Sequence, residues 1–349
     1  MNELISVIVP NRNGSATIGK CLEAIYASAY EPYEVIVVDD GSQDSSVEII
    51  ATYPCQLIRL PQSQGASKAR NVGASRSRGS ILFFTDADCL LQEHTLREVM
   101  GSMKEGPGGR IVGGTYTPLS HDRSFFSDFQ SLFIHEAETK KPHNPDYVAT
   151  HAMAMETRVF KESGGFREDF LPILEDVEFS HRMRRAGARL CMNPAILVEH
   201  IFNFSLLSSL GNAIRKSFYW TIYSLGNRDL SADSGTASVG LKASFVSLAS
   251  MVMLVSAALW SGTASYLYGV AMAAGIQLFL NRRLFRRFRE GRGTAFMIAA
   301  ALYYTTFYPL AAGAGALGGV VTFFQDHRGH TGRATMATKS ESSQLTSVP

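Results

Sequence analysis

The chain has 349 residues, of which 46% are apolar and 18% charged, and its formal net charge is +2. This balance excludes a disordered chain, and it argues against a nucleic-acid-binding protein that relies on bulk positive charge, so we expect no nucleic-acid partner. The four cysteines form no CxxC pair and therefore indicate neither a zinc site nor a disulfide framework. A reducing compartment fits this cysteine usage best.

The first two hundred residues alternate short β-rich runs with helical patterns, which is typical of a layered α/β domain. Strands are predicted at 5–9, 35–38, 56–59 and 81–84, of which the first two are predicted to be buried and parallel and the last is the most apolar. Helices are predicted after three of them, at 17–25, at 65–77 and from 95 onward. In open α/β sheets ligands bind beyond the carboxyl ends of the strands, so acidic residues at those ends are candidate site residues.

Beyond Gly113-Gly114 the alternation becomes irregular. Residues 120–147 are rich in His, Asp and Pro, and this composition predicts a long functional loop or a poorly ordered insertion. Order resumes with a run at 148–155 and a helix at 175–185, which Gly187 is placed to end.

The last third of the chain contains two long stretches without Asp, Glu, Lys, Arg or His, 243–281 and 293–325. A helix needs about 20 apolar residues to cross a bilayer, so we predict about three transmembrane helices within 241–325. The first stretch reads as a hairpin that turns at Ser261-Gly262-Thr263. The second contains Pro309 and a Gly/Ala-rich run, and it is compatible with one long span or with a re-entrant pair.

Six arginines fall between these two stretches, in a segment at 282–292 that reads as a loop. The positive-inside rule places this loop in the cytoplasm. Since a hairpin returns the chain to the side it left, the N-terminal domain is then cytoplasmic too. The apolar run at 5–9 is short and lacks a basic flank, so no signal peptide is expected. The prediction is a multi-pass protein of the inner (plasma) membrane with a cytoplasmic catalytic domain.

Residues 202–225 mix aromatic, aliphatic and basic side chains, which is typical of a helix in the membrane interface. A surface helix packed on the α/β domain is an equal alternative. The predicted domains are an α/β domain at 1–204, an interfacial amphipathic helix with a linker at 205–240, transmembrane helices at 241–325 and a disordered polar tail at 326–349.

Two acidic residues, Asp39 and Asp40, end the second predicted strand in the run Val37-Val-Asp-Asp-Gly-Ser42. A carboxylate there can accept hydrogen bonds from a ribose or a base N–H, and a simple Asp-Gly turn is the alternative. The turn after the first strand, which starts at Pro10, lacks the GxGxxG pattern. A nicotinamide dinucleotide is therefore disfavoured.

A second acidic pair, Asp86-x-Asp88, follows the most apolar strand. Two carboxylates one residue apart in an exposed turn can hold Mg²⁺ or Mn²⁺, because hard cations prefer oxygen ligands. Small residues and cations, among them Lys68 and Arg70, begin the helix at 65–77. That arrangement suits a diphosphate, and solvated surface charges are the alternative.

A third acidic pair, Glu175-Asp176, begins a predicted helix. A carboxylate held there can take a proton from an attacking hydroxyl. Helix capping or a favourable interaction with the helix dipole is the alternative. His200, which follows the last strand, is either a structural histidine or a ligand of the metal or phosphates.

The order and spacing of these segments resemble the family-2 inverting glycosyltransferases with the GT-A fold, over roughly residues 4–204. The resemblance rests on Ser6-Val-Ile-Val-Pro10, Val37-Val-Asp-Asp-Gly-Ser42, Lys68-Ala-Arg-Asn-x-Gly73, Asp86-x-Asp88, Gly164-Gly-Phe166, Glu175-Asp176 and His200. It implies the nucleotide-diphospho-sugar transferase fold, an α/β architecture with a Rossmann-like mixed sheet, followed here by an α-helical membrane region.

The resemblance also assigns roles to the residues singled out above. Those assigned to the nucleotide sugar are Pro10, Asp39, Asp40, Lys68, Arg70 and Asp86. The divalent metal, Mg²⁺ or Mn²⁺, is assigned to Asp88 with His200, and the catalytic base is Asp176 with Glu175 as the second choice.

The implied activity is that of a membrane-bound, metal-dependent, hexosyltransferase-type enzyme of cell-envelope polysaccharide synthesis. It would move one sugar from a nucleotide-diphospho-sugar to a hydroxyl of a lipid-linked or glycan acceptor, bound between 116–155 and the 202–225 helix. Processive synthases of the family carry a QxxRW motif, and the nearest counterpart, Asn212-Ala-Ile-Arg-Lys216, lacks both the Gln and the Trp. The alternatives are a polyprenyl-phosphate sugar synthase, a processive polysaccharide synthase and a non-catalytic nucleotide-sugar-binding membrane scaffold.

Overall fold

A computed structural model describes residues 3–105, 108–230 and 233–325 in full and only the backbone of 326–344. The predicted disordered tail, 326–349, lies outside the fully described residues. Within the described chain eight strands form one sheet: β1 (Ile5–Asn11), β2 (Tyr33–Asp39), β3 (Gln56–Arg59), β4 (Ile81–Phe84), β5 (Cys89–Leu91), β6 (Ile111–Tyr116), β7 (Met153–Glu156) and β8 (Leu190–His200). The α-helices of the same part are α1 (Ile18–Tyr26), α2 (Ser46–Ile50), α3 (Ala66–Arg76), α4 (Thr95–Lys104), α5 (Phe125–Thr139), α6 (Thr157–Glu162), α7 (Glu175–Arg185), α8 (Leu206–Asn227), α9 (Val239–Ser261), α10 (Tyr266–Leu280), α11 (Arg282–Thr305) and α12 (Phe307–Gln344).

The sheet has the strand order β3-β2-β1-β4-β7-β6-β8-β5. Its first four strands are parallel, β7 is antiparallel to both β4 and β6, and β5 is antiparallel to β8. Alternate residues of β1 enter two cores: Val7 packs in the cluster that contains Leu22 of α1, and Ile8 in the cluster that contains Phe179 of α7. The sheet is therefore covered on both faces, which explains its apolar strands and confirms the α/β class. The carboxyl ends of β1, β2 and β4 meet at one edge.

Residues 125–139 form helix α5, so the prediction of a long loop or poorly ordered insertion over 120–147 is wrong. The Ser124 hydroxyl caps the helix and accepts a hydrogen bond from the Ser127 N–H at 3.3 Å. Phe125, Phe129 and Leu132 recur at helical spacing and are packed on one side of the helix. The region is rich in His, Asp and Pro, but the apolar residues of this segment follow the spacing of an amphipathic helix.

The arginine-rich segment is the first part of helix α11, so its prediction as a loop is wrong. Phe285 and Phe288 are buried here, and Phe288 packs on Phe129 of α5 with the ring centroids 5.4 Å apart. The helix breaks at Gly293, whose φ is +84°. The segment is thus amphipathic, and its apolar face docks on the α/β domain.

Two helical stretches of the described residues are long and apolar enough to cross a membrane by length and composition, Val239–Ser261 and part of Arg282–Gln325. Helix α9 ends at the predicted turn, where Gly262 takes the left-handed conformation. Helix α10 has 15 residues, and its length of about 22 Å is less than the roughly 30 Å of bilayer hydrocarbon. The last apolar stretch is interrupted between α11 and α12, at Thr306.

Helix α8 lies along α12, and small residues of α12 face the α8 backbone. A Cβ on Gly315 would overlap the carbonyl oxygen of Ile214, and one on Gly319 would lie 2.5 Å from the carbonyl oxygen of Phe218. This close approach is typical of glycine-mediated helix pairs. One side of α8 therefore packs on α12, and another side lines the cavity described below.

Candidate functional site

The acidic pair after β2 is buried and hydrogen-bonded internally, since Asp39 is 2% exposed and Asp40 4%. Asp39 accepts hydrogen bonds from the hydroxyl and the N–H of Ser42. The Asp40 carboxylate accepts from the N–H groups of Gln64, at 2.7 Å, and Gly65, at 3.0 Å. Both carboxylates shape the loops at the carboxyl edge of the sheet, and their assignment to the nucleotide, like that of Pro10, stays a prediction.

Arg70 forms ion pairs with one carboxylate from each of the two other acidic segments, Asp86-x-Asp88 and Glu175-Asp176. Its Nη2 lies 2.7 Å from Asp86 Oδ1 and its Nη1 lies 2.6 Å from Glu175 Oε1. Arg70 therefore positions both carboxylates, and Glu175 already has a cationic partner, which makes it less suited than a free carboxylate to act as a base. Lys68 lies nearer the surface, with Nζ 3.1 Å from Glu168 Oε2. Diphosphate binding by the two cations stays a prediction.

Asn71 links two of the motif segments. Its Nδ2 donates to the carbonyl oxygen of Phe166 at 2.8 Å, and its Oδ1 accepts from the Phe166 N–H at 2.9 Å. Gly165 has φ +73°, and a Cβ there would lie 2.6 Å from Asn71 Oδ1. The Gly-Gly-Phe segment is thereby fixed to α3, and it leads the chain toward α7.

Asp176 is the second residue of α7 and lines a cavity of about 340 Å³. Its Oδ1 accepts a hydrogen bond from the Val177 N–H at 2.8 Å. Burial, and after it the charge of Glu175, raises the pKa of Asp176 to about 7. These two effects outweigh the lowering expected at a helix N-terminus. A cavity carboxylate with a pKa near neutrality has the properties of a general base.

The cavity brings together some of the predicted site residues. Its polar and aromatic lining comprises Arg70, Asp86, Tyr116, Glu138, Tyr147, Thr150, His151, Glu175, Asp176, Asn212, Arg215, Lys216, Trp220 and Thr236. Asp39, Asp40, Lys68, Asp88 and His200 are not part of this lining. Both regions in which the acceptor was expected, 116–155 and the 202–225 helix, contribute walls.

His151, Glu138 and Tyr116 are buried residues of the lining that are not among the predicted site residues. His151 Nε2 lies 3.4 Å from Glu138 Oε2, and the His151 ring stacks on Tyr116 with centroids 4.0 Å apart. Burial opposes protonation of His151, but the charge and hydrogen bond of Glu138, together with the charges of Asp86 and Asp176, outweigh it and raise the His151 pKa above its ordinary value. The antiparallel pairing of β7 with β4 brings His151 beside the residues that follow β4, and no local sequence pattern encodes that pairing.

Asp88, Cys89 and His200 have ligand atoms within 4.8 Å of one another. Burial lowers the pKa of His200 to about 3, so its imidazole is neutral, which is the metal-binding form. His200 Nδ1 is buried without a hydrogen-bond partner among the described residues. Burial, then the charge of Asp86, raises the pKa of Asp88 to about 7, as expected for a carboxylate that lacks a compensating cation. Asp88 and His200 thus fit a divalent cation, whereas the Cys89 thiol, whose pKa is raised by burial, does not suit a hard one.

The fold matches a solved enzyme over most of both chains. The mannosyltransferase PcManGT from Pyrobaculum calidifontis, solved in complex with GDP-Man and Mn²⁺, is 19% identical, with a TM-score of 0.58 over 88% of each chain. This likeness concerns the fold alone, and it confirms the GT-A class.

The N-terminal part of the chain is similar to a known sequence family and to several curated relatives. Residues 6–164 match the family described as glycosyl transferase family 2. Glycosyltransferase AglE of Haloferax volcanii is 32% identical over 148 residues, 39% of this chain and 48% of the relative. Glycosyltransferase GlyG of Streptococcus pneumoniae is 30% identical over 131 residues, which are 36% of this chain and 44% of the relative. The match thus spans less than half the length of these curated relatives. Residues 6–164, a little under half of the chain, are thus similar to glycosyl transferase family 2 domains.

Proposed function

We propose that the protein is a membrane-bound, inverting glycosyltransferase, which moves one sugar from a nucleotide-diphospho-sugar to a hydroxyl of a lipid-linked or glycan acceptor. The observation that carries the proposal is the Asp176 carboxylate, which lines a cavity large enough for a sugar and has a pKa of about 7. Such a group can accept a proton near neutral pH.

The reaction is a direct displacement at the anomeric carbon. The bond from the acceptor oxygen forms while the bond to the nucleoside diphosphate breaks, and the hydroxyl proton passes to Asp176. Arg70 keeps Glu175 and Asp86 in place beside this carboxylate. A Mg²⁺ or Mn²⁺ ion held by Asp88 and His200 would neutralise the departing diphosphate.

We place the first part of α11 and the α/β domain together on the cytoplasmic face of the plasma membrane. Arg287 Nε lies 3.1 Å from Glu136 Oε2, and Arg292 Nη1 lies 2.9 Å from Oδ2 of Asp128, which is fully buried in α5. A segment docked in this way is on the same side of the bilayer as the domain, and its arginines favour the cytoplasm. The position suits cell-envelope polysaccharide synthesis from nucleotide sugars.

A polyprenyl-phosphate sugar synthase is the second candidate, because Arg215 and Lys216 in the cavity lining would suit a phosphate nucleophile. A phosphate attacks without much help from a base. Retention of activity in Asp176→Asn would favour this candidate.

The test is to incubate membranes that contain the protein with a panel of labelled nucleotide sugars and then to extract the lipids. We expect label from one donor in a discrete lipid-soluble product. Long products on a gel would indicate a processive synthase, and binding of a donor without turnover would indicate a scaffold.

A further inference from the structure

An apolar groove of about 280 Å³ lies between α8, α9 and α12. Its walls are mostly apolar, with Leu241, Phe245 and Val246 from α9 and Leu317 from α12. Trp220 lines both this groove and the catalytic cavity. An extended apolar chain in the groove would therefore end where the cavity begins.

Two adjacent cations of α8, Arg215 and Lys216, line the cavity about one helical turn before Trp220. Neither has a carboxylate within 4.0 Å among the described residues. Burial lowers the pKa of Lys216, and the charge of Asp176 acts in the opposite direction. This pair offers an anion site in the cavity that the Asp176 carboxylate also lines.

The outer surface of α9 supports a lipid as the occupant of the groove. Only 6% of its most apolar 18-residue stretch is buried, and the groove-lining Val246 is 62% exposed. An exposed apolar helix of 23 residues belongs in hydrocarbon, so the groove beside it would open to the bilayer. The apolar groove, and the cationic pair and carboxylate of the cavity that shares Trp220 with it, match the hydrocarbon, phosphate and sugar of a lipid-linked saccharide.

We propose that the acceptor is a polyprenyl-diphosphate-linked sugar, and this inference rests on the proposed function. Its hydrocarbon chain lies in the groove, its diphosphate binds Arg215 and Lys216, and a hydroxyl of its sugar reaches Asp176. Trp220 packs against the lipid where the hydrocarbon ends.

The groove is tested by filling it in the full-length protein in nanodiscs. Val246→Trp should raise the KM for a polyprenyl-diphosphate sugar by roughly tenfold or more, with a smaller change in kcat, because the chain loses apolar contact. Val252 is the matched control, since it lies on the same helix, is 59% exposed and does not line the groove. Val252→Trp should leave both constants unchanged.

The anion site is tested with a second pair of variants. Lys216→Gln should raise the KM for the same acceptor by roughly tenfold or more, and Lys216→Arg should restore most of the loss. With an uncharged alkyl glycoside of the same sugar as acceptor, Lys216→Gln and wild type should have the same KM. A merely structural role for Lys216 would raise the KM for both acceptors.

The outcomes separate this inference from the function on which it rests. If Val246→Trp behaves like Val252→Trp, or if Lys216→Gln raises the KM for both acceptors alike, the inference is overturned and sugar transfer stands. Transfer to polyprenyl phosphate, and not to the diphosphate-linked sugar, overturns it in favour of the synthase. If no donor gives transfer to any acceptor, the proposed function fails as well.

Discussion

The protonation state of Asp176 should control the rate of transfer. Its carboxyl group is protonated below a pKa of about 7 and cannot then accept a proton from the acceptor. We therefore expect kcat to increase as the pH rises through about 7 and to level off above it. The measurement is kcat at saturating donor and acceptor over a pH series, and a rate that does not change across this range would contradict the role of Asp176.

Loss of the divalent cation should stop transfer, because Asp88 and His200 are the described groups placed to hold it. EDTA should abolish activity, and Mg²⁺ or Mn²⁺ should restore it. Asp88→Asn should have the same effect as the chelator, whereas Asp169→Asn, at an exposed carboxylate, should not. Full activity of wild type in EDTA would contradict the metal assignment.

Individual site residues at the ends of strands and helices are predictable from the sequence, but the residues that pair or stack with them in the fold are not. The position of Asp86 at the end of a strand makes it a candidate site residue, whereas the assignment of Asp176 to the same site depends on the family resemblance. The ion pairs of Arg70 and the stacked His151 depend on contacts between segments far apart in the chain. No local pattern contains that information.

At the scale of helices, apolar spacing predicted structure better than composition did. The phenylalanines of α5 and those of the first part of α11 follow helical spacing, although both segments were predicted to be loops from their polar content. The apolar face of α5 and that of the first part of α11 pack against each other and are buried. The strands and helices of the α/β domain were predictable because their apolar runs are short and regularly bounded.

The contact between α8 and α12 should depend on the glycines of α12. Gly315→Ala places a methyl group against the Ile214 carbonyl, so the helices must separate, and we expect a loss of about 1–3 kcal/mol of stability. Gly275→Ala in α10 is the matched control, because a Cβ there meets no atom within 4 Å. Thermal unfolding in detergent measures the stability of both variants. Equal unfolding midpoints for the two would contradict the close packing of α8 on α12.

At the scale of the whole molecule, the docking of α11 on α5 predicts that both lie on one side of the membrane. Arg286 and Arg158 are exposed in the two parts, and Thr263 lies in the turn between α9 and α10. With Cys55 and Cys191 replaced by Ser, Arg286→Cys and Arg158→Cys should react with an impermeant maleimide only after permeabilisation. Thr263→Cys should react in intact cells, and labelling of Arg286→Cys from outside would refute the arrangement.

The proposed reaction depends on a proton transfer from the acceptor hydroxyl to Asp176. The most direct measurement is the single-turnover rate of Asp176→Asn at saturating donor, beside a titration of donor binding. Asn keeps the shape and can still accept the hydrogen bond from the Val177 N–H, so the protein should fold and bind donor as wild type does. We predict a rate lower by about 10²- to 10⁴-fold, the usual contribution of general-base catalysis. A folded variant that transfers sugar at the wild-type rate would contradict the central claim.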